Sequence, residues 1–475
     1  MSRTQQQQEA ITLALNPSNH LIKIQACAGA GKTHTLIELV KEMKPATGLY
    51  LAYNKAIATE ATAKFKGTNV KCSTIHALAY KYIVSPYGLQ VGFFNARDVH
   101  EDIRYIEKRS IVDTMDSFFL SAELDPTIYA TAMLPKHLQP IFLDYLDKMA
   151  NGAIKCTHSF YLKLFHIYLD SGEIKIPEVD ILLLDEFGDI TELTLEIFKL
   201  LPAKTKVAVG DPMQNIYSFN KTINGFTALK DVGIEAEMTQ SFRVSAKVAK
   251  SIQSFTQNHC DKSFKFIGNK DAVECEFPTY AYISRTNAGL LGKMFELMGQ
   301  LQAFHVTRDI STILKTPLVL IDILNNKPVN DYEFKHLEAA RSAYSKSATD
   351  RTKFPTIGKY LEFKYKDDAE IMQGLKLVYK HGRADIMALE KYVKKAAKLP
   401  SNFTLTTSHS VKGLEFTEVE IAQDLNASAI KAIAKLARHK KWSPEYLNDP
   451  AMEELRLYYV AASRCIMELH NATVL

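Results

Sequence analysis

Nowhere in this chain do the roughly 18 consecutive apolar residues needed to span a bilayer occur. Its start, Met1-Ser2-Arg3-Thr4 followed by four glutamines, lacks the apolar core of a secretory signal. Cysteine is sparse, with six in 475 residues, at Cys27, Cys72, Cys156, Cys260, Cys275 and Cys465. None stands in a C-x-x-C pair, which removes the usual zinc and redox motifs and leaves reduced, packed thiols as the expectation. No internal repeat is present, and the four glutamines are too short a run for a low-complexity domain. These absences point to an intracellular protein, not secreted and without a membrane partner.

What is there is ordinary globular usage, with 47% apolar and 23% charged residues. A net charge of +5 permits a polyanion partner without requiring one. At roughly 100–200 residues per domain, the length predicts three or four units.

Short apolar runs stand beside helical patterns. Leu21 to Ala26 reads as a strand, followed by a Gly-rich turn and a helix from about Lys32 to Met43. Gly48 to Tyr53, Val179 to Leu184 and Lys206 to Val209 read as further strands. Such alternation implies parallel sheets covered on both faces, with ligands at the carboxyl ends of the strands. Val179–Leu184 ends in Asp185-Glu186, and Lys206–Val209 ends in Gly210-Asp211. From Ser85 to Pro177 the pattern is helical, without strand signals. A second helical stretch, rich in Lys and Tyr, runs from about Asn325 to Leu399 and includes Asp385 to Lys398. Strand character returns at Phe403 to Thr407 and Glu418 to Ala422.

Ala26-Cys27-Ala28-Gly29-Ala30-Gly31-Lys32-Thr33 lies between a strand and a helix, followed by His34. Small residues let backbone N–H groups close around phosphates, and a helix N-terminus favours anions. In this phosphate-loop reading Lys32 reaches the β- and γ-phosphates and Thr33 ligates Mg²⁺. The pattern's first glycine is Ala26 here. Asp185 would hold the Mg²⁺ and Glu186 would polarise the attacking water. An acidic pair at a strand end means little alone; beside a phosphate loop it gains weight.

Taken in order, these segments resemble the UvrD/Rep-like superfamily 1A helicases at about eight motifs from Gln7 to Arg464, closest to compact F-box-helicase and phage-like members. Thr4-Gln5-Gln6-Gln7-Gln8-Glu9-Ala10-Ile11 resembles the family's Q motif, which implies that Gln7 reads adenine. Tyr53-Asn54-Lys55-Ala56 resembles motif Ia, and Thr74-Ile75-His76-Ala77-Leu78 resembles motif Ib. These imply DNA contacts at Tyr53, Asn54, Lys55 and His76, although a lone His76 equally suits a hydrogen-bonded core position. Leu184-Asp185-Glu186-Phe187-Gly188-Asp189 resembles motif II, with Gly188 where the family has a glutamine that relays the nucleotide state. Val209 to Phe219 is similar to motif III. It implies a γ-phosphate sensor at Gln214 and base-stacking rings at Tyr217 and Phe219, with Asn220 in place of a basic residue.

Thr239-Gln240-Ser241-Phe242-Arg243 resembles motif IV, implying that Phe242 stacks on adenine and Arg243 contacts the γ-phosphate. Ser284-Arg285-Thr286-Asn287 matches the family's following strand segment. Thr407 to Phe416 resembles motif V, with Glu415 on the ribose and Thr407, His409 and Lys412 on the DNA backbone. Glu454 to Arg464 resembles motif VI, with Arg464 as arginine finger. Taken alone, Arg243 and Arg464 would more often be ion-pair partners, and Tyr217 and Phe219 more often core. Their joint order carries the reading.

The resemblance implies an α/β fold of two RecA-like motor domains, with residues 1–84 and 178–232 as 1A, and 233–324 and 400–475 as 2A. Residues 85–177 would form a helical insert 1B and 325–399 a small insert 2B. It implies ATP and Mg²⁺ as cofactors, bound by Gln7, Ala28, Gly29, Ala30, Gly31, Lys32, Thr33, His34, Phe242, Arg243, Glu415 and Arg464. It implies single-stranded DNA and DNA forks as partners, 3′→5′ movement, a monomer, and a cytoplasmic setting in a bacterial or phage-infected cell or otherwise intracellular. Hydrolysis would then open a cleft gripped by both lobes, an arginine finger contributing about 10³–10⁵ in rate. Two alternatives stay open: a translocase that strips proteins and unwinds weakly, and a nucleotide-gated DNA-binding protein with little turnover. The basic stretch Ile430 to Trp442 reads as a solvated face or as a phosphate contact.

Overall fold

The computed structural model describes residues 3–100, 102–217, 221–272, 276–329 and 331–475. The chain divides into two compact units, Met1–Thr239 and Gln240–Leu475. Among the described residues, no helix is long and apolar enough to cross a membrane. Among the described residues five cysteines are free, four of them buried.

The first unit is built on a six-stranded, all-parallel sheet. Its order is Val70–Thr74, Gly48–Ala52, Val179–Leu184, Ala203–Gly210, Leu21–Ala26 and Ile234–Met238. The central strands are apolar because both faces are covered by helices: Ile181, Leu182, Leu183, Val207, Ala208 and Val209 are fully buried. Leu21–Ala26 and Val179–Leu184 have the bounds read from sequence, and Ala203–Gly210 extends the expected run at both ends. Lys23 is the exception in this core. Its ammonium is buried, donates to the carbonyls of Leu229 and Lys230, and pairs with Glu235 on the neighbouring strand at 2.8 Å.

Residues 85–177 fold as helices, chiefly Tyr105–Leu120, Pro126–Met133, Gln139–Ala150 and His158–Asp170. Their apolar faces meet around Phe118, Phe119, Phe142 and Phe165. An isolated parallel bridge joins Val91 to Cys156. Helix His158–Asp170 also buries polar groups. The Lys163 ammonium donates to the carbonyls of Ser121 and Glu123 and lies over the Phe118 ring. Burial lowers its pKa to about 8.

The second unit holds a five-stranded parallel sheet. Its order is His305–Val306, Phe403–Thr407, Tyr280–Ser284, Phe416–Ile421 and Cys465–His470. Gln240–Ser245 pairs separately with Ile267–Asn269. Ser284-Arg285-Thr286-Asn287 is not a strand. The strand ends at Ser284, Thr286 caps a helix by accepting from the Gly289 N–H, and that helix runs Asn287–Gly299. A helical layer follows. Helix Ile310–Leu324 packs on Ala369–Val378 and Arg383–Ala396, with Leu320, Leu361, Ile371 and Leu375 in the core. The fold is therefore α/β, with parallel sheets and many helices, as expected of RecA-like phosphate-loop domains.

His166 gives this fold a pH dependence. Its ring is buried, and Nδ1 has no hydrogen-bond partner among the described residues. Burial first, then the charge of Lys163, lowers its pKa to about 4 from the ordinary 6.5. The stability it contributes is complete above pH 6.5 and is lost as pH falls toward 4, by at most about 1.4 kcal/mol per unit. We expect the thermal midpoint to drop between pH 7 and 5 by a few degrees more in the wild type than in His166→Gln. Equal drops in both proteins would remove this assignment.

Candidate nucleotide and nucleic-acid sites

The phosphate loop sits at the carboxyl end of Leu21–Ala26. Gly29 and Gly31 have φ of 74° and 78°, left-handed values that glycine adopts without a Cβ clash. Gly31 precedes helix Lys32–Met43, and among the described residues no side chain caps that helix start. Its first N–H groups are thus available to an anion. The loop is braced from behind: Cys27 N–H donates to the Met238 carbonyl, and Gln7 Nε2 donates to the Ala30 carbonyl at 3.3 Å. Gln7 Oε1 accepts from the Thr4 N–H, while Thr4 Oγ1 accepts from the Gln7 N–H. Both ends of the Gln7 amide are therefore engaged in a helix cap and a loop brace. Gln6 engages Thr239, whose N–H donates to Gln6 Oε1 at 2.9 Å. Ala28 and Ala30 are buried, Lys32 and Thr33 are half-buried, and His34 is exposed.

Two strands away, Val179–Leu184 delivers Asp185, which is only 7% exposed. Tyr50 Oη donates to Oδ2 at 2.6 Å and the Glu186 N–H donates to Oδ1 at 2.9 Å. Burial, then repulsion from Glu186, pushes this carboxyl above its ordinary value; Lys32 opposes the shift. A divalent cation here would reverse the balance, and its preferred hard oxygen donors are present at Asp185 and Thr33. Glu186 is half-buried with φ 57°, an uncommon backbone for a glutamate. Between these strands, Ala203–Gly210 leads to Asp211. Its carboxylate accepts from the Met213 N–H and from Gln214 Nε2 at 2.9 Å, so the sensor candidate is held by its own turn. The first unit thus gathers Gln7, the loop, Lys32, Asp185, Glu186 and Gln214 at strand ends of one sheet. Tyr50 was not singled out in the sequence; the signal was a lone hydroxyl in a strand otherwise fully apolar at its buried positions.

In the second unit, Arg243 Nε pairs with Glu415 at 2.6 Å, and the Phe416 N–H donates to the Arg464 carbonyl. Phe242 is half-buried beside Arg243. Arg464 is nearly buried; Nε donates to the Val460 carbonyl and Nη2 to Ser463 Oγ. Phe242, Arg243, Glu415 and Arg464 therefore lie on adjoining elements. Arg285 makes a bidentate pair with Glu454, and Asp424 accepts from the Arg285 and Thr286 N–H groups. This network lines a cavity of about 1060 Å³ together with Glu370 and Lys376. Burial raises the Glu370 carboxyl to about 7. Lys431 of the basic stretch also lines it and pairs with Asp367, while Arg438 pairs with Asp449.

Of the DNA candidates, Tyr53 stacks on Tyr217, with ring centroids 6.3 Å apart and planes 15° apart. Asn54 caps helix Lys55–Lys64 by accepting from the Ile57 N–H, and Lys55 is exposed at its start. His76 is exposed against His158 and Tyr161. Desolvation of its ring by the packed side chains around it, then the His158 charge, lowers its pKa. Thr407 is buried and bonds Ser410; His409 and Lys412 are half-buried in the turn that follows. Phe219 lies outside the described residues, as do Ser218 and Asn220.

Residues 7–220 match a family described as AAA domain. The chain is 24% identical to F-box DNA helicase protein 1 of Schizosaccharomyces pombe, across 97% of this chain and 56% of the relative. It is also 24% identical to F-box DNA helicase 1 of Gallus gallus, across 85% of this chain and 43% of the relative. The chain spans about half the length of the curated relatives it matches. These findings agree with the motif resemblance to superfamily 1 DNA helicases.

Removing the Tyr50 hydroxyl tests the carboxylate geometry. Tyr50→Phe leaves one oxygen of a buried carboxylate short of a donor, at a cost of roughly 1–3 kcal/mol. We expect a lowered thermal midpoint in the metal-free protein and a changed Mg²⁺ dependence of nucleotide binding. An unchanged Mg²⁺ titration would separate Tyr50 from the site.

Proposed function

We propose that this chain is an ATP-dependent 3′→5′ DNA helicase that translocates on single-stranded DNA and acts at forks, using Mg²⁺. The observation that carries the reading is the convergence of the glycine loop, the buried Asp185 and the Asp211–Gln214 turn at the carboxyl ends of neighbouring parallel strands. Ligands of open parallel sheets bind at such ends.

Phosphoryl transfer requires positioning and charge neutralisation rather than covalent chemistry. In this reading the loop N–H groups and Lys32 hold the phosphates, Thr33 and Asp185 hold Mg²⁺, and Glu186 orients the attacking water. Gln214 senses the terminal phosphate. Phe242 and Gln7 serve the adenine, Glu415 the ribose, and Arg243 and Arg464 the γ-phosphate. Mg²⁺, when bound, supplies charge to the phosphate oxygens. Arg243 and Arg464 must then exchange their present partners for the nucleotide, so turnover includes side-chain rearrangement. Domains 1A, 1B, 2A and 2B are proposed along the bounds that the motif resemblance implies, except that strand Ile234–Met238, which pairs with Leu21–Ala26, belongs on the 1A side of the boundary.

The stacked Tyr53 and Tyr217 supply a base platform. Base-on-ring stacking contributes about 1–3 kcal/mol per base and is indifferent to sequence, which suits a moving motor. Duplex stacking of about 1.4 kcal/mol per step is the opposing load. Thr407, His409, Lys412, Asn54, Lys55, His76 and Phe219 complete the track, and the protein works as a monomer inside the cell.

Lys32→Ala should abolish ATP hydrolysis while leaving the fold intact; retained turnover would remove the assigned phosphate site. Steady-state ATPase should rise with single-stranded DNA more than with RNA of the same sequence. A forked duplex should open only with a 3′ tail. Stimulation without unwinding would favour a translocase that strips proteins, and no stimulation at all would sink the motor.

A further inference from the structure

Two loops that bracket the proposed nucleotide site meet through glycines. The Phe187 N–H donates to the Val209 carbonyl at 2.9 Å, tying the Asp185–Glu186 turn to the adjacent strand. A Cβ built on Gly188 would lie 2.4 Å from the Asp211 carbonyl oxygen and 3.0 Å from its carbon. A Cβ on Gly210 would lie 2.7 Å from the backbone nitrogens of both Phe187 and Gly188. Neither glycine is needed for a left-handed backbone, since neither has positive φ. Both are needed for space, and the obstructing atoms are backbone that cannot swing aside. The same Asp211 carbonyl accepts from the Gln214 N–H at 3.0 Å, and its carboxylate holds the Gln214 side chain.

We infer that Gly188 and Gly210 are positioning residues that let the Gln214 turn and the Glu186 turn move as one piece. The inference rests on the proposed nucleotide site and adds how its state is passed on. A shift of Gln214 on loss of the terminal phosphate drags Asp211, whose carbonyl bears directly on Gly188, two residues from Glu186. Backbone contact of this kind transmits displacement without a side-chain relay, because packed atoms yield little. A methyl group at either glycine wedges the turns apart, so the catalytic carboxylate and the sensor lose register while the phosphate loop is untouched.

The wild-type protein gives the first test. Hydrogen exchange is measured with and without Mg²⁺ and a non-hydrolysable ATP analogue. Amides of residues 187–189 and 211–214 should gain protection together; protection of one segment without the other overturns the inference. Absence of analogue binding overturns the underlying nucleotide site as well, and so is told apart. The second test is a double-mutant cycle. Gly188→Ala should lower kcat for ATP on the order of tenfold with KM changed less than about twofold, and should add no further loss in a Gln214→Ala background. Multiplicative losses would show that Gly188 serves the fold alone. Gly210→Ala intrudes on the same contact from the other strand and carries the same cycle if Gly188→Ala does not fold.

Discussion

A carboxylate almost without water governs the first unit. Asp185 is 7% exposed, and a buried charge survives only if donors or cations meet it. One donor comes from Tyr50 on the neighbouring strand and one from the next peptide group. Lys32, at the start of the helix that follows the phosphate loop, supplies the opposing charge. The strand order brings these groups to the same end of one sheet, so the sheet's register and the electrostatics of the site are one arrangement. Without a cation the carboxyl is held above its ordinary value, and a divalent ion is the natural remedy.

The second unit solves a similar problem differently. Its arginines are already engaged: Arg243 with Glu415, Arg285 with Glu454, and Arg464 with the carbonyl of Val460. Leaving such groups unpaired costs more than a surface pair gains, so the resting protein keeps them satisfied. In the proposed motor, a nucleotide competes for Arg243 and Arg464 rather than finding them idle. Gln7 shows the same economy, its amide divided between a helix cap and a loop carbonyl.

In the first unit the central strands were legible in the sequence and the edge strands were not. In the second unit the central strand Tyr280–Ser284, with half-buried tyrosines and a polar end, was missed as well. Leu21–Ala26 and Val179–Leu184 lie between other strands, so both faces are apolar and the runs stand out. Val70–Thr74, Ile234–Met238 and Cys465–His470 lie at sheet edges, mix polar with apolar residues, and gave no signal. The glycine loop was legible because glycine adopts the left-handed backbone angles found at Gly29 and Gly31 without the cost a side chain would add. Tyr50 was not, because a tyrosine inside a buried strand looks like packing until its hydroxyl is seen on Asp185. The Gly188 and Gly210 contact was equally hidden, since a glycine chosen for space leaves no local pattern.

Glu186 carries its side chain on a left-handed backbone, with φ 57°. That conformation costs a non-glycine residue about 1–3 kcal/mol, a sizeable share of a domain's net stability. The surrounding hydrogen bonds and close-packed turns must offset this cost, so the protein is locally less stable than its architecture would permit. At this turn the chain accepts thermodynamic frustration in return for where a single carboxylate points.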